Sequence, residues 1–150
     1  MGTKYRGSEA EVRALDAYIK LMRAAASVSE RANHHLGDYD LTTSQFGVLE
    51  ALYHLGTLSQ VELARKLLLS TANITTVLQN LEKRDLITRK RNPNDQRVVR
   101  VSLNRTGRIL IEQILPSHVA GITEDLGVLT AEEQETLAAL CRKLGRQVRT

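Results

Sequence analysis

Two clusters in this 150-residue chain carry side chains whose types and spacing could do chemistry, and that chemistry is recognition rather than bond-making. The first is the run Ser70, Thr71, Asn73, Thr75, Thr76 and Gln79, all short hydroxyls and amides. The second is the set Arg89, Arg91, Arg97 and Arg100, in a segment thick with Arg, Lys and Asn. Hydroxyls and carboxamides match base edges and phosphates in a major groove, and a guanidinium can enter a narrow, electronegative minor groove. Catalytic constellations are missing by comparison: there is no Ser, His and acid set and no phosphate-cradling Gly loop. His34 and His35 are adjacent and so diverge by about 100° on a helix, while His54 and His118 are isolated, so no metal-ligand spacing arises. The sequence therefore predicts a non-enzyme without cofactor or metal.

Positioning these groups requires two short helices and a hairpin. Ser59 and Glu62 have capping-box spacing, with Leu58 and Leu63 placed as a hydrophobic staple, which predicts a helix of about two turns. Ser70 caps a second helix, stapled by Leu69 and Ile74, whose Ile74, Val77, Leu78 and Leu81 form one apolar stripe that must be buried. The opposite side holds Ala72, Thr76, Gln79 and Lys83, flanked by Asn73, Thr75 and Asn80. A merely solvated face would be rich in Glu and Lys, whereas this one is polar and nearly uncharged. In the hairpin, Ile87, Val99, Val101 and Leu103 are spaced as inward strand positions, Arg89, Arg91, Arg97 and Arg100 point elsewhere, and Asn92 to Asp95 make the turn. From Lys83 to Arg108 there are nine Lys or Arg against two Asp, a local +7 in a chain of net +4, so the remainder carries −3. A charge run alone is ordinarily a solvated face. Beside a capped helix pair with a polar face it fits phosphate neutralisation.

Three stretches carry a resemblance: LTTSQFGVLEAL, SQVELARKLLLSTANITTVLQNLEKRDLI and NPNDQRVVRVSLNRTGR. Together they resemble the MarR family of bacterial and archaeal transcription regulators, and the likeness covers nearly the whole chain. The resemblance implies winged helix-turn-helix homodimers that bind pseudo-palindromic operators in double-stranded DNA and often release them on binding small molecules. It implies that Arg97 enters the minor groove, that Asp95 orients the wing, and that Ser70, Thr71, Asn73, Thr75, Thr76 and Gln79 contact the major groove or phosphates. Two positions depart from the family pattern: Asp85 stands where Gly is usual, at a site that can require a left-handed backbone, and Asn104 replaces the usual Thr. The family places its small-molecule pocket where the dimerisation helices meet the winged lobe. Tyr18, Met22, His35, Tyr39, Phe46 and Tyr53 map near that junction and would suit an aromatic effector such as a phenol or quinone. The pattern from Tyr5 through Met22 is also similar to a quinone-responsive branch. For each of these residues, ordinary core packing is the competing reading.

The rest of the chain frames this region. With 42% apolar residues there is enough for one core, and no apolar run approaches the roughly 18 residues of a membrane span. The segment MGTKYRGSEAEV lacks the apolar core of a signal peptide, and the single Cys excludes an intramolecular disulfide, which places the protein in the cytoplasm. Ser8 to Leu36 reads as one helix with two apolar stripes, Val12, Leu15, Ile19, Met22, Ala26 and Tyr18, Leu21, Ala25, Val28, Ala32, so it needs partners on two sides. Thr42 and Gln45 open a helix to about Leu55. Asn104 caps a long segment bearing Ile109, Leu110, Ile114 and Leu115, which Pro116 should bend. Thr130 and Glu133 open a last helix with Leu137, Leu140, Cys141, Leu144 and Val148 on its apolar face. Cys141 reads as a small buried hydrophobe, with thiol-based redox regulation as the alternative.

The expected fold is mainly α with a small β wing. Residues 1–36 and 104–150 should form a helical dimerisation region, intertwined in a single domain with a winged helix-turn-helix at 37–103. The expected function is a ligand-responsive repressor acting as a homodimer; the alternative is an architectural, low-specificity DNA-binding dimer.

Overall fold

The computed structural model describes residues 2–146. Its elements run α1 (Glu9–Asn33), a 3-10 helix (His34–Tyr39), α2 (Thr43–Leu55), β1 (Leu58–Ser59), α3 (Gln60–Leu67), α4 (Thr71–Lys83), β2 (Ile87–Asn92), β3 (Asp95–Leu103), α5 (Arg105–Leu126) and α6 (Ala131–Gly145). The chain is mostly helical with a three-stranded antiparallel sheet of order β1-β3-β2, the expected fold class. No described helix is long and apolar enough to cross a membrane.

The helix starts follow the local chemistry. Ser59 and Glu62 exchange bonds, the Glu62 N–H donating to Ser59 Oγ at 3.1 Å and the Ser59 N–H to Glu62 Oε2 at 2.7 Å. Thr42 with Gln45 and Thr130 with Glu133 do the same. Each such box satisfies two backbone donors that a helix start leaves without partners. The Ser70 hydroxyl accepts from the Asn73 N–H at 3.2 Å.

The chain divides into two compact units, residues 33–118 and residues 1–32 with 119–150. In the winged unit, Leu49, Leu63, Ile74, Leu78, Leu81, Val101 and Ile111 are all sealed from solvent. The predicted α4 stripe is therefore buried, with Val77 only half so. The sheet contains a strand that the sequence did not announce: Leu58 pairs with Val101 and Ser59 with Arg100, making β1 a third strand. In β2 and β3, Ile87 lies opposite Leu103 and Arg89 opposite Val101.

The unit boundary falls later than the expected 103/104, because the first half of α5 packs into the winged core through Gly107, Ile111, Ile114 and His118. This also corrects the phase of the expected stripe, since Ile109 is 57% exposed and Ile111 is buried. Gly107 decides it: a Cβ there would lie 2.1 Å from the Leu86 carbonyl oxygen, so only glycine lets α5 approach the residue before β2 this closely. Helix α5 continues through Pro116 without interruption, and the Ser117 hydroxyl donates to the Ile114 carbonyl.

In the terminal unit, α1 stops at Asn33 rather than Leu36, because the chain tightens into the 3-10 turn and ends with Asp40 left-handed at φ 53°. Neither of its stripes is buried within the chain. Arg31 donates to Asp125 at 2.9 Å, joining α1 to the end of α5. All of α6 is exposed, including Leu137, Leu140 and Leu144. Cys141 is exposed too, which corrects the expectation of a buried thiol: among the described residues nothing covers that face. Val148, expected on the same face, lies outside the described residues.

Candidate nucleic-acid interface

Helix α4 presents Thr71, Ala72, Asn73, Thr76, Gln79 and Asn80 to solvent in one exposed arc. The hydroxyls are partly committed to the helix itself: Thr76 donates to the Ala72 carbonyl at 3.2 Å, which leaves its oxygen free to accept. Among the described residues the side-chain amides of Asn73, on the flank of this face, and of Gln79, near its centre, are in no hydrogen bond and are open to solvent. Ser70 serves as the N-cap. Thr75 turns inward instead: it is half-buried, accepts from Gln60 Nε2 at 2.9 Å and donates to the Thr71 carbonyl at 2.8 Å. Its visible work is to bind α3 to α4.

At the wing, Asp95 holds Arg97 directly. Its Oδ1 accepts from the Arg97 backbone N–H and from Nε, both at 3.1 Å, and Oδ2 accepts from Nη2 at 3.3 Å. The Arg97 side chain is 91% exposed. The side-chain bond to Arg97, with the backbone bond behind it, holds the Asp95 carboxyl below the usual carboxylate range. An aspartate two residues before an arginine thus aims a solvent-exposed guanidinium from the wing.

Several cations of the basic segment have structural partners that the charge count could not reveal. Arg89 forms a forked pair with Glu82 at 3.0 and 3.3 Å, bracing the wing against α4, and this pairing lowers the Glu82 carboxyl pKa. Arg84 donates to the carbonyls of Asp40 at 2.6 Å and Tyr39 at 3.1 Å, fixing the C-terminal end of α4. Arg108 lies 5.5 Å over the Tyr53 ring.

A chain with this capped polar helix and braced wing is similar to known proteins. The MarR family profile matches residues 41–99. A transcriptional regulator of Bacillus subtilis (strain 168), MhqR, is 35% identical over 133 residues, 89% of this chain and 92% of the relative. The chain belongs to the MarR family. It is a DNA-binding transcription regulator. Among solved structures, BpsR of Bordetella bronchiseptica, described for regulation of its DNA binding by 6-hydroxynicotinic acid, is similar with a TM-score of 0.80 and 28% identity over 97% of this chain and all of that one (100%). MepR of S. aureus in complex with DNA gives a TM-score of 0.75 and 27% identity over 85% of this chain and 94% of its own.

For a MarR-family chain, the two departures from the family pattern prove to be neighbours. Asp85 is left-handed at φ 56°, as a position suited to glycine would be. Asn104 Nδ2 donates to the Asp85 carbonyl at 2.6 Å and to its carboxylate at 3.2 Å, while Asn104 Oδ1 accepts from the Gly107 N–H at 2.8 Å.

Of the six residues expected near an effector pocket, His35, Tyr39, Phe46 and Tyr53 belong to the winged unit and Tyr18 and Met22 to the terminal unit. Phe46 is 2% exposed and belongs to the core, its ring 4.5 Å from His118, which in turn is 5.2 Å from His35. Tyr39 and Tyr53 are half-buried in the winged unit, whereas Tyr18 and Met22, on α1, are 59% and 50% exposed. The buried His118 was missed in the sequence because its ring partners come from distant segments.

Proposed function

We propose that this chain is a ligand-responsive repressor acting as a homodimer on a pseudo-palindromic operator, and that it performs no catalysis. The observation that carries this reading is the pair of exposed amides on α4, Asn73 and Gln79, together with the Arg97 that Asp95 holds on the wing. Such a pair reads base edges, while a guanidinium in a minor groove reads shape and charge. The architectural reading needs only basic charge and leaves these amides without a task. Ser70, Thr71 and Thr76 supply phosphate or base contacts, and Thr75 supports them from behind.

Homodimerisation is supported by α6, whose Leu137, Leu140 and Leu144 are open to solvent in the single chain. A two-fold dimer places its recognition helices on half-sites about 10 base pairs apart. Effector control is supported by the similarity to BpsR, whose DNA binding is described as regulated by an aromatic acid. For this chain a small aromatic compound such as a phenol or quinone is the proposed class, acting in the cytoplasm, where the operator is. The deciding experiment measures affinity for DNA upstream of its own coding sequence against scrambled DNA, across salt. A specific repressor prefers the former by about 10³-fold or more; equal affinities would leave only the architectural reading.

A further inference from the structure

Among the described residues a single side-chain hydrogen bond joins α3 to α4, and Gln60 makes it. Its Nε2 donates to Thr75 Oγ1 at 2.9 Å, while the Thr75 hydroxyl donates to the Thr71 carbonyl at 2.8 Å. A hydroxyl has one hydrogen to give, so toward Gln60 the Thr75 oxygen only accepts, and the Gln60 amide must supply the proton. The start of α3 is fixed in its turn. Ser59, directly before Gln60, exchanges capping-box bonds with Glu62 and pairs with Arg100 in the sheet. Gln60 therefore holds α4 from an anchored point.

The place at which it holds α4 matters. Thr71, Thr75 and Gln79 are successive i, i+4 positions, so they line one edge of the helix. Thr71 and Gln79 are exposed, with Thr75 half-buried between them. The rest of the hold on α4 is apolar, through the buried Ile74, Leu78 and Leu81. Apolar burial decides which side of a helix turns inward but is non-directional, whereas an N–H···O bond weakens steeply as its angle departs from linear. Helix side chains end about 5 to 6 Å from the axis, so a rotation of about 10° moves a tip by about 1 Å. A recognition contact tolerates about 0.5 Å.

We propose that Gln60 is a positioning residue for base recognition: through Thr75 it sets the rotation of α4 about its axis, and with it the aim of the Gln79 amide. The inference rests on the operator-binding reading above and adds a determinant of specificity that touches no base. Gln60 also borders, with Thr71 and Arg97, an open groove of about 360 Å³. Direct contact of Gln60 with a base is therefore the rival outcome that the experiment has to separate.

The test uses the full chain, a duplex that the unmodified protein selects from a random pool, a scrambled duplex of the same composition, and single base-pair variants of the selected one. Fluorescence anisotropy gives the preference, which is the ratio of the affinities for the selected and scrambled duplexes. Gln60→Met keeps the length of the side chain and removes the donor. It should lower the preference about tenfold, within the roughly 5- to 150-fold that one bidentate base contact carries. Affinity for the scrambled duplex and its salt slope should stay as they are, because no phosphate contact is removed. Gln60→Glu offers only acceptors to an oxygen that can only accept, so it should lower the preference at least as far. The loss should fall on the base pairs at which Gln79→Ala also loses discrimination, and Gln60→Met added to Gln79→Ala or to Thr75→Val should change little more. If thermal melting shows Gln60→Met unfolded, Gln60→Glu and Thr75→Val are read instead. The proposal is overturned if the scrambled duplex loses affinity by the same factor as the selected one. It is overturned too if the loss falls on other base pairs and adds to that of Gln79→Ala, which would make Gln60 a reader in its own right. A pool that yields no preferred duplex sinks the operator reading and this proposal with it, whereas a clear preference that Gln60→Met leaves intact sinks the positioning alone.

Discussion

Replacing Asp85 with Gly and Asn104 with Thr, singly and together, tests whether the two departures from the family pattern compensate each other. Asp85 is left-handed at φ 56°, which costs an L-residue about 1 kcal/mol and glycine nothing. Glycine returns about 0.5 to 1 kcal/mol of that through the freedom it gains on unfolding. Asp85→Gly also removes the carboxylate that accepts from Asn104 at 3.2 Å, worth about 1 kcal/mol, so alone it should lower stability by about 1 kcal/mol or less. Asn104→Thr keeps a cap for Gly107 but loses the donor to the Asp85 carbonyl and carboxylate, for about 1 to 2 kcal/mol. Once Thr is at 104 the carboxylate has no amide to hold, so Asp85→Gly should become neutral or stabilising. The expected coupling is about 1 kcal/mol, read from urea unfolding of four proteins at one fixed concentration. Costs that add within about 0.3 kcal/mol would show the sites to be independent and refute the compensation.

Arg97→Ala should weaken binding to upstream and scrambled DNA by similar factors and flatten the salt dependence by about 0.9 per chain, whereas Gln79→Ala should lose discrimination at particular base pairs by about 1 to 3 kcal/mol; fluorescence anisotropy across salt separates the two, and an unchanged slope for Arg97→Ala would remove the wing from the interface. Leu68 is left-handed at φ 55° and 92% exposed, so Leu68→Asn should raise stability by about 0.5 to 1 kcal/mol in the same urea assay. Leu140→Asp with Leu144→Asp should yield monomers or unfolded chain, and an intact dimer in sedimentation would count against α6 as the dimer contact. Because the Asp95 carboxyl has its pKa lowered in the folded wing, its contribution is complete above the unfolded value, about 3.9, and is lost only as pH falls through the lower folded one. The Arg97 Nε–H resonance should therefore hold its position from neutral pH to about 4 and move only below, and a shift beginning near pH 6 would exclude Asp95 as its cause.

What the sequence shows well is what neighbours in the chain decide. Ser59 with Glu62, Thr42 with Gln45 and Thr130 with Glu133 are three residues apart, so each cap forms with little reference to the rest of the molecule. The α4 stripe is legible for the same reason, and with it the polar face opposite. Strand β1 was not legible, because two residues carry no periodicity and their pairing with Val101 and Arg100 depends on distant chain. The expected α5 face of Ile109 with Leu110 passed over Ile111, because the close approach of Gly107 to Leu86 that turns Ile111 inward depends on distant chain. Charge counting could not separate Arg84 and Arg89, which brace the fold, from Lys90 and Arg100, which face solvent. The exposure of Cys141 escaped because an amphipathic pattern says that a face wants cover, and not that the chain contains it.

The forked contact between Glu82 and Arg89 bears on how such readers could be re-engineered. It crosses from the last turn of α4 to the third ladder position of β2, so helix and hairpin share a fixed pitch and cannot be retuned one at a time. A transplant confined to residues 71–80 would inherit this spacing and change only which bases are named. One that carried position 82 without position 89 would leave a lone charge at the joint and let the hairpin drift relative to the helix. Exchange of specificity between relatives should therefore succeed in blocks whose edges fall outside this pair.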